Sequence, residues 1–575
     1  MSWFFGVIGK EKNNSLHQFG FLPKPLHNFS GDRVSMIAGG ISETCFAGTF
    51  NESAQHQFTH WIAVGSAIQF SAHSASFLTA KDWETILSAS TPKTLSIDGH
   101  FVAIRWNEAT CELFSDQTGL RTAFLSHTKI GTIVSTRLDW IATASGNTEI
   151  DFHNFGPRWI AYNQITHTSI LKNIVRLPGG AECSVTSDSH TLHYTPINPL
   201  EKKSDGMPEE LLRAAMEPAL KEKKICSFGL SGGLDSRFLL ALLLSQQYPF
   251  AVHTFGNIGE TDVDIAIAIA KGEHLDQKIF SSSKNIAKPD FTEITQYAAE
   301  ANLNDHVGTF LRLQHYRAMS QENLIMIDGS FAEFARRQLA NRLYIRGSKA
   351  LFKKDIDGIA ENFLFNRGNI FSQNATQEMY DGYREQLRSA ISEMPDIHEI
   401  GLQNYVDLFT LRTRLPNNGG DEQARLDAMM QNYMPCVQPT YLHAVFQMPL
   451  AQKTNARWFR ECIRKYRPSL EHYPLVKNNT TYPFRMNGIP AALWTRAKSF
   501  IGKVSPENPN RDFLFNFKEE ILDIVNSQQC KTYEHYNYQS IRHIAEQYYR
   551  GDIRYERPLL WFVTFELWRR NLRSQ

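Results

Sequence analysis

Lys223-Lys224-Ile225-Cys226-Ser227-Phe228-Gly229-Leu230-Ser231-Gly232-Gly233-Leu234-Asp235-Ser236-Arg237 runs directly into Phe238-Leu239-Leu240-Ala241-Leu242-Leu243-Leu244. An apolar run, a Ser-Gly-Gly turn and an Asp-Ser pair opening a leucine-rich segment predict a buried strand, a tight loop and a helix. That geometry traps anions. Gly232 and Gly233 let the backbone approach a phosphate and turn its N–H groups inward, while the helix N-terminus adds partial positive charge. Ser231 and Ser236 can donate to phosphate oxygens, Leu230 and Leu234 flank the turn, and Asp235 stands where a Mg2+ bound to phosphates needs an oxygen ligand. The plainer alternative is an Asp N-cap after an ordinary strand-to-helix turn.

Around this stretch lie 575 residues, 42% hydrophobic and 21% charged, an ordinary globular composition with room for two or more domains. A formal net charge of +1 leaves no electrostatic footprint for nucleic acid or an anionic membrane. The seven cysteines (Cys45, Cys111, Cys183, Cys226, Cys436, Cys462 and Cys530) form no CxxC pair. They argue against a disulfide framework and a structural zinc site, and fit a reducing compartment. The apolar start Trp3-Phe4-Phe5-Gly6-Val7-Ile8 lacks a basic lead and meets Lys10 too early for a signal peptide. No segment reaches the ~20 apolar residues that span a bilayer. The expectation is a soluble cytoplasmic protein with neither nucleic-acid nor membrane partners.

Residues 1–200 read as β-rich, with short apolar runs separated by Gly, Ser, Asn and Thr. Ile97 to Trp106 and Cys111 to Ser115 flank a turn at Asn107 to Thr110, and Asp116 to Gly119 makes a second turn. Glu201 to Gly206 is the expected linker. From residue 208 to 575 the periods lengthen: Glu209 to Lys221 as a helix, the loop above, a second strand at Pro249 to Gly256, a helix from Ile265 to Lys271, and a third strand from Gln277. Strands alternating with helices imply a parallel sheet with ligands at the carboxyl ends of its strands. Asn302 to His306 is expected to open a helix running to Ser320, and residues 401–470, including Tyr433, read as helical.

The string Ser231-Gly232-Gly233-Leu234-Asp235-Ser236 resembles the pyrophosphate loop of the asparagine synthetase family and related N-type ATP pyrophosphatases. The likeness extends along the chain. Asp98-Gly99-His100-Phe101 through Asp116-Gln117-Thr118-Gly119 looks like the core of class II glutamine amidotransferase domains. Leu177-Pro178-Gly179 is similar to the element that closes that domain, and Arg557 to Trp568 to the family's terminal helix. The resemblance implies an N-terminal Ntn-like αββα sandwich (1–200), followed by an adenine-nucleotide α-hydrolase-like PP-loop domain with a helical C-terminal half (208–575). It also implies ATP and Mg2+. A substrate carboxylate is adenylated with release of pyrophosphate, and an amine then displaces AMP.

Carried over position by position, Asp235 and Glu333 would hold Mg2+, and Leu230 to Ser236 with Gly329 would line the phosphates. Phe255 and Gly256 would border the adenine, although Phe255 reads equally as core packing. Lys477 would steady charge on the α-phosphate, its alternative being an exposed loop lysine. Asp305 is either a substrate-facing acid or a helix N-cap. Arg336 and Arg337 are left open as anion ligands, whereas Arg342, Arg346, Lys349, Lys353 and Lys354 read as a solvated face.

The departures are as informative. Ser2 stands where the glutaminase has its nucleophilic cysteine, and a hydroxyl needs a stronger base than a terminal amine provides. Trp61 to Ile68 replaces the segment that would bind the glutamine amide. The second glycine of the family's segment around Gly329 has become Phe331, and Ser330 stands where related lactam synthetases have a tyrosine. The expected N-domain is therefore a scaffold, as in β-lactam synthetases and lasso-peptide cyclases, with Ser2 as a slow nucleophile the minority reading. The substrates would be a carboxylate and an amine, a single peptide precursor carrying both being one option, with room for a partner protein of the same pathway. The rivals are ammonia-dependent amidation of a sugar acid or other carboxylate, and an idle ATP-binding scaffold.

Overall fold

Trp3-Phe4-Phe5-Gly6-Val7-Ile8-Gly9 is apolar throughout because the strand it forms is covered on both sides. Phe4 and Ile8 face one hydrophobic cluster, and Trp3, Phe5 and Val7 face another, as the two-residue period of a strand requires. The computed structural model describes residues 2–11, 16, 19–50, 57–71, 74–201, 204, 206–281, 290–336, 340–477, 479–501 and 509–574. Arg337 and linker residues Lys202, Lys203 and Asp205 lie outside them.

The first 194 residues supply β1 (Trp3–Gly9), β2 (His27–Ser30), β3 (Val34–Gly39), β4 (Cys45–Thr49), β5 (His60–Ser71), β6 (Ser74–Phe77), β7 (Asp98–Trp106), β8 (Cys111–Ser115), β9 (Phe124–His127), β10 (Gly131–Ser135), β11 (Val175–Arg176), β12 (Ala181–Val185) and β13 (His190–Tyr194). They form two antiparallel sheets, ordered β11-β9-β10-β1-β3-β2 and β13-β12-β8-β7-β5-β4, with β6 paired to β5. Phe4, Ile8 and Met36 of one sheet meet Ile62, Val64, Val102 and Ile104 of the other in a shared core. Trp83 and Leu87 of the helix Ala80–Ser88 cover the second sheet's outer face. The helices Leu138–Ser145 and Phe152–Ile160 cover the first.

The second half is built on β14 (Ile225–Gly229), β15 (Ala251–Phe255), β16 (Gln277–Phe280), β17 (Leu324–Ile327) and β18 (Gln431–Tyr433), all parallel and ordered β16-β15-β14-β17-β18. The strand at Tyr433 corrects the helical reading of residues 401–470. Three residues between long helices leave no period of their own, and only pairing with β17 makes them a strand. A hairpin of β19 (Leu475–Lys477) and β20 (Thr480–Tyr482) follows. The helix Glu556–Ser574 is buried along most of its length, with Glu566 satisfied by Tyr536, Arg569 and Arg570.

The two halves share an interface that is tight and polar as well as apolar. Gly156 of the helix Phe152–Ile160 and Gly382 of the helix Gln373–Ser392 lie where a Cβ would come within 2.1 Å of the Met379 carbonyl and 1.8 Å of the His153 carbonyl, so only glycine allows this crossing. Asp98 accepts from Thr440 N and Thr440 Oγ1, both at 3.0 Å, serving the start of the helix Pro439–Gln447 from the other half. Burial pushes its carboxyl up to about 7 against the pull of those two bonds.

Because the folded value lies above that of an unfolded aspartate, Asp98 adds stability fully below about pH 4 and loses it as pH rises to 7. Asp98→Asn keeps an acceptor and removes the charge. Its advantage over the wild type in urea midpoints is expected to grow from pH 4 to 7 and then level. A variant less stable than the wild type at pH 8 would contradict this.

Candidate functional site

Strand order reverses direction at β14, whose neighbours β15 and β17 are reached by crossovers to opposite sides. The crevice beyond the carboxyl ends of β14 and β17 is therefore the place where such a sheet takes a ligand. The loop after β14 carries Leu230 to Ser236, and the loop after β17 carries Gly329, Glu333 and Arg336.

Leu230 is pinned to β15, its N–H donating to the His253 carbonyl at 2.8 Å and its carbonyl accepting from Thr254 Oγ1 at 2.9 Å. Ser231 Oγ and Ser236 Oγ lie 2.9 Å apart, and Gly233 N donates to Ser231 Oγ at 3.1 Å. Gly233, not Asp235, is the N-cap of the helix Leu234–Leu244, and no side chain caps it. The Asp N-cap alternative thus falls. Gly232 N donates to Asp262 Oδ1 at 3.1 Å, so a carboxylate sits on one N–H that a phosphate oxygen would take. A Cβ on Gly232 would come within 2.5 Å of Val476 Cγ2. Those uncapped donors, and a carboxylate already seated on one, fit a phosphate.

Asp235 faces Arg336 in a two-pronged ion pair: Arg336 Nη2 donates to Asp235 Oδ2 at 2.5 Å, and Arg336 Nε reaches Oδ1. Burial pushes the Asp235 carboxyl up, Arg336 opposes this, and nearby Glu333 adds to it. Asp328, at the end of β17, is also raised by burial and by Glu333, while Ser330 N and Ser330 Oγ donate to its Oδ1 at 2.8 and 2.6 Å. Asp235 and Asp328 thus both lie within electrostatic reach of Glu333, and Arg336 pairs with Asp235. No group of three metal-ligating side chains is assembled among the described residues. Asp235 and Glu333 have the charge that Mg2+ requires, but Asp235 meets it only if Arg336 withdraws.

Gly329 packs under the loop, where a Cβ would lie 2.8 Å from Leu239 Cδ1. Phe331 has φ +64, a left-handed conformation that is costly for a bulky side chain. Phe255 ends β15 with 37% of its surface exposed and its ring stacked on His315 at 5.6 Å. Gly256, at φ +125, donates its N–H to the Phe280 carbonyl.

Lys477 comes to the loop through its neighbour, since Val476 N donates to the Gly232 carbonyl at 3.1 Å; Lys477 itself is exposed. What brings the hairpin there is Arg237. It is fully buried and donates to the carbonyls of Tyr473 at 2.6 Å, Pro474 at 2.9 Å, Leu470 at 3.3 Å and Gly232 at 3.4 Å. Beside the hairpin opens a groove of about 640 Å3 lined by Pro474, Tyr482, Phe484, Arg485, Trp494 and Lys498, among others.

Three residues of this site escape a reading by motif: Asp262, Asp328 and Arg237. Asp328 carried the usable signal, an acid followed by glycine at the end of an apolar strand. Asp305 is not the helix N-cap. The helix starts only at Phe310, after a turn at Val307–Thr309, and Asp305 accepts from Arg425 Nη2 at 2.7 Å. Arg342, Arg346, Lys349, Lys353 and Lys354 are exposed.

In the N-terminal half, Ser2 has no exposed surface. Its hydroxyl contacts Thr44 Oγ1 and donates to the Ile41 carbonyl at 3.4 Å, and its own carbonyl accepts from Arg121 Nη2 at 2.5 Å. No helix among the described residues is long and apolar enough to cross a membrane.

No family model matches this chain, and no curated protein matches it in sequence. Among solved structures it is similar to a glutamine phosphoribosylpyrophosphate amidotransferase from B. subtilis complexed with ADP and GMP, at 10% identity over 58% of this chain and 71% of that one, with a TM-score of 0.19. It is also similar to an NMN synthetase from Francisella tularensis, at 12% identity over 39% of this chain and 97% of that one, with a TM-score of 0.17. A third likeness is to an allosteric regulatory enzyme of purine biosynthesis, at 11% identity over 50% and 76%, with a TM-score of 0.19. Superpositions this loose carry no weight for function, which is read below from the site.

Proposed function

We propose that the chain is an ATP-dependent, AMP-forming amide ligase. The observation that carries this reading is the meeting of the Ser231–Ser236 loop with Glu333 and the Lys477 hairpin at the carboxyl ends of β14 and β17. In the proposed reaction a substrate carboxylate oxygen attacks the α-phosphorus of ATP, the bond between the α-phosphorus and the bridging oxygen breaks, and pyrophosphate leaves. An amine nitrogen then attacks the acyl carbon, loses a proton and expels AMP.

The chain's own groups divide the work. The N–H groups of Gly232 and Gly233 with the hydroxyls of Ser231 and Ser236 grip the β,γ-phosphates, and Lys477 stands over the charge that develops as pyrophosphate departs. Mg2+ held by Asp235 and Glu333 would neutralise part of the phosphate charge. Arg237 holds the Lys477 hairpin against the loop and so fixes the lysine's distance.

The buried hydroxyl of Ser2 favours an amine that is not released from glutamine within this chain. We assign it to the substrate itself, giving a lactam or macrolactam, and the groove of about 640 Å3 beside the hairpin has room for a peptide-sized acyl chain. The test is incubation with ATP, Mg2+ and a panel of amino acids and peptides bearing an internal amine. Equal release of AMP and pyrophosphate with one of them is expected. Release of ADP and phosphate instead, or of no nucleotide product across the panel, would overturn the ligase reading. AMP release that required ammonium would shift it to simple amidation.

A further inference from the structure

We infer that Arg336 is a phosphate ligand that waits on Asp235 and changes partner when metal and nucleotide arrive. This rests on the nucleotide-site reading above and concerns which side chain completes it. The two-pronged Asp235–Arg336 contact occupies the face of Asp235 that a metal would need, and both side chains are largely shielded, at 26% and 15% exposure. Across the same crevice, Asp262 sits on the Gly232 N–H. The unliganded site is thus balanced by its own groups, a carboxylate where phosphate would sit and a guanidinium where a cation would sit.

Neither arrangement survives occupancy. A metal held at Asp235 would displace the guanidinium, leaving it free for another anion at the Ser231–Ser236 loop. Arginine is suited to that exchange, because its planar fork pairs equally well with a carboxylate or a phosphate. Glu333, which raises both Asp235 and Asp328, leaves this end of the crevice rich in carboxylates, so a phosphate is the anion the freed guanidinium is suited to meet.

The segment that must move already carries strain. Phe331, five residues before Arg336, has φ +64, a conformation that is costly for a bulky residue and recurs in switch regions. Tyr482 of β20 lies within electrostatic reach of both Arg336 and Asp235, so the released guanidinium has the Lys477 hairpin on its other side.

The experiment is calorimetric binding of α,β-methylene-ATP, which cannot be cleaved at the α-phosphorus, to the full chain. With Mg2+ present, Arg336→Met is expected to bind it at least about 10-fold more weakly than the wild type, as befits the loss of a charge-assisted hydrogen-bonded pair. Arg336→Lys should fall in between. If Arg336 were only a fixed partner of Asp235, its removal would uncover the metal ligand and binding would stay equal or tighten, and that result overturns the inference.

A second arm does not depend on Arg336 variants folding. In metal-free buffer, Asp235→Asn is expected to bind the analogue at least about 3-fold more tightly than the wild type, because the guanidinium is no longer held by a carboxylate; unchanged or weaker binding counts against the exchange. Absence of any binding by the wild type with Mg2+ would instead remove the nucleotide site itself, and is distinguished from the failure of Arg336 by that fact.

Discussion

Asp235→Asn is expected to lower substrate-dependent pyrophosphate release at least about 100-fold while leaving the protein folded. Asparagine preserves the size of the side chain and one acceptor for Arg336, but it removes the only formal negative charge in the first turn of the helix Leu234–Leu244. For catalysis the charge is the point. A neutral amide is a poor ligand for a hard divalent cation, and stabilisation aimed at charge developing during phosphoryl transfer accounts for several kcal/mol in sites of this kind.

For stability the loss is small. A carboxylate at a helix N-terminus contributes about 0.3–1 kcal/mol, and the ion pair with Arg336 retains a hydrogen bond. Pyrophosphate release and urea midpoints measured on the same preparation separate the two effects. Release at the wild-type rate with a wild-type midpoint would mean that the metal, if one is used, is held elsewhere.

The sequence and the structure agree best where chemistry depends on contiguous residues. Ser231 to Ser236 could be placed in a strand-loop-helix unit because all of its determinants lie within one stretch: the apolar run, the glycine pair and the leucines. The parallel sheet was legible for the same reason, except for β18, whose three residues acquire their conformation only from β17. The residues that assemble the site from a distance were not legible. Asp262 lies ahead of the helix expected from Ile265 to Lys271, yet the helix begins at Thr261 and the carboxylate turns back onto Gly232.

Arg237 reads as one more charged residue after the motif, although its burial and its four carbonyl partners make it the clamp between the loop and the 470–474 segment. No periodicity encodes a contact across more than 200 residues. Phe331 is the converse case. The chain shows a phenylalanine where the resemblance implies a glycine, but only φ +64 reveals that the backbone there is left-handed.

Asp427→Ala is expected to destabilise the protein by about 3–5 kcal/mol at pH 7, the cost of stranding a buried cation. Asp427 has no exposed side-chain surface and joins the halves of the chain. Its Oδ1 accepts from His100 Nε2 at 3.1 Å and Asn432 Nδ2 at 3.0 Å, and its Oδ2 accepts from Arg121 Nη1 at 3.1 Å. Burial works to raise its carboxyl, but His100 and Arg121 outweigh it and hold the group below the usual carboxylate range.

A depressed folded value means that the contribution is present above the unfolded carboxyl value of about 3.9 and is lost as pH falls through the folded one. The gap in urea midpoint between wild type and Asp427→Ala should therefore be wide at pH 7 and narrow below pH 4. A gap that is absent at pH 7, or that widens in acid, would contradict this. Since Arg121 also holds the carbonyl of Ser2, the same substitution should loosen the buried N-terminus. The position that belongs to a nucleophile in the resembled glutaminases is here tied by its backbone carbonyl, through Arg121, to an aspartate of the other half of the chain.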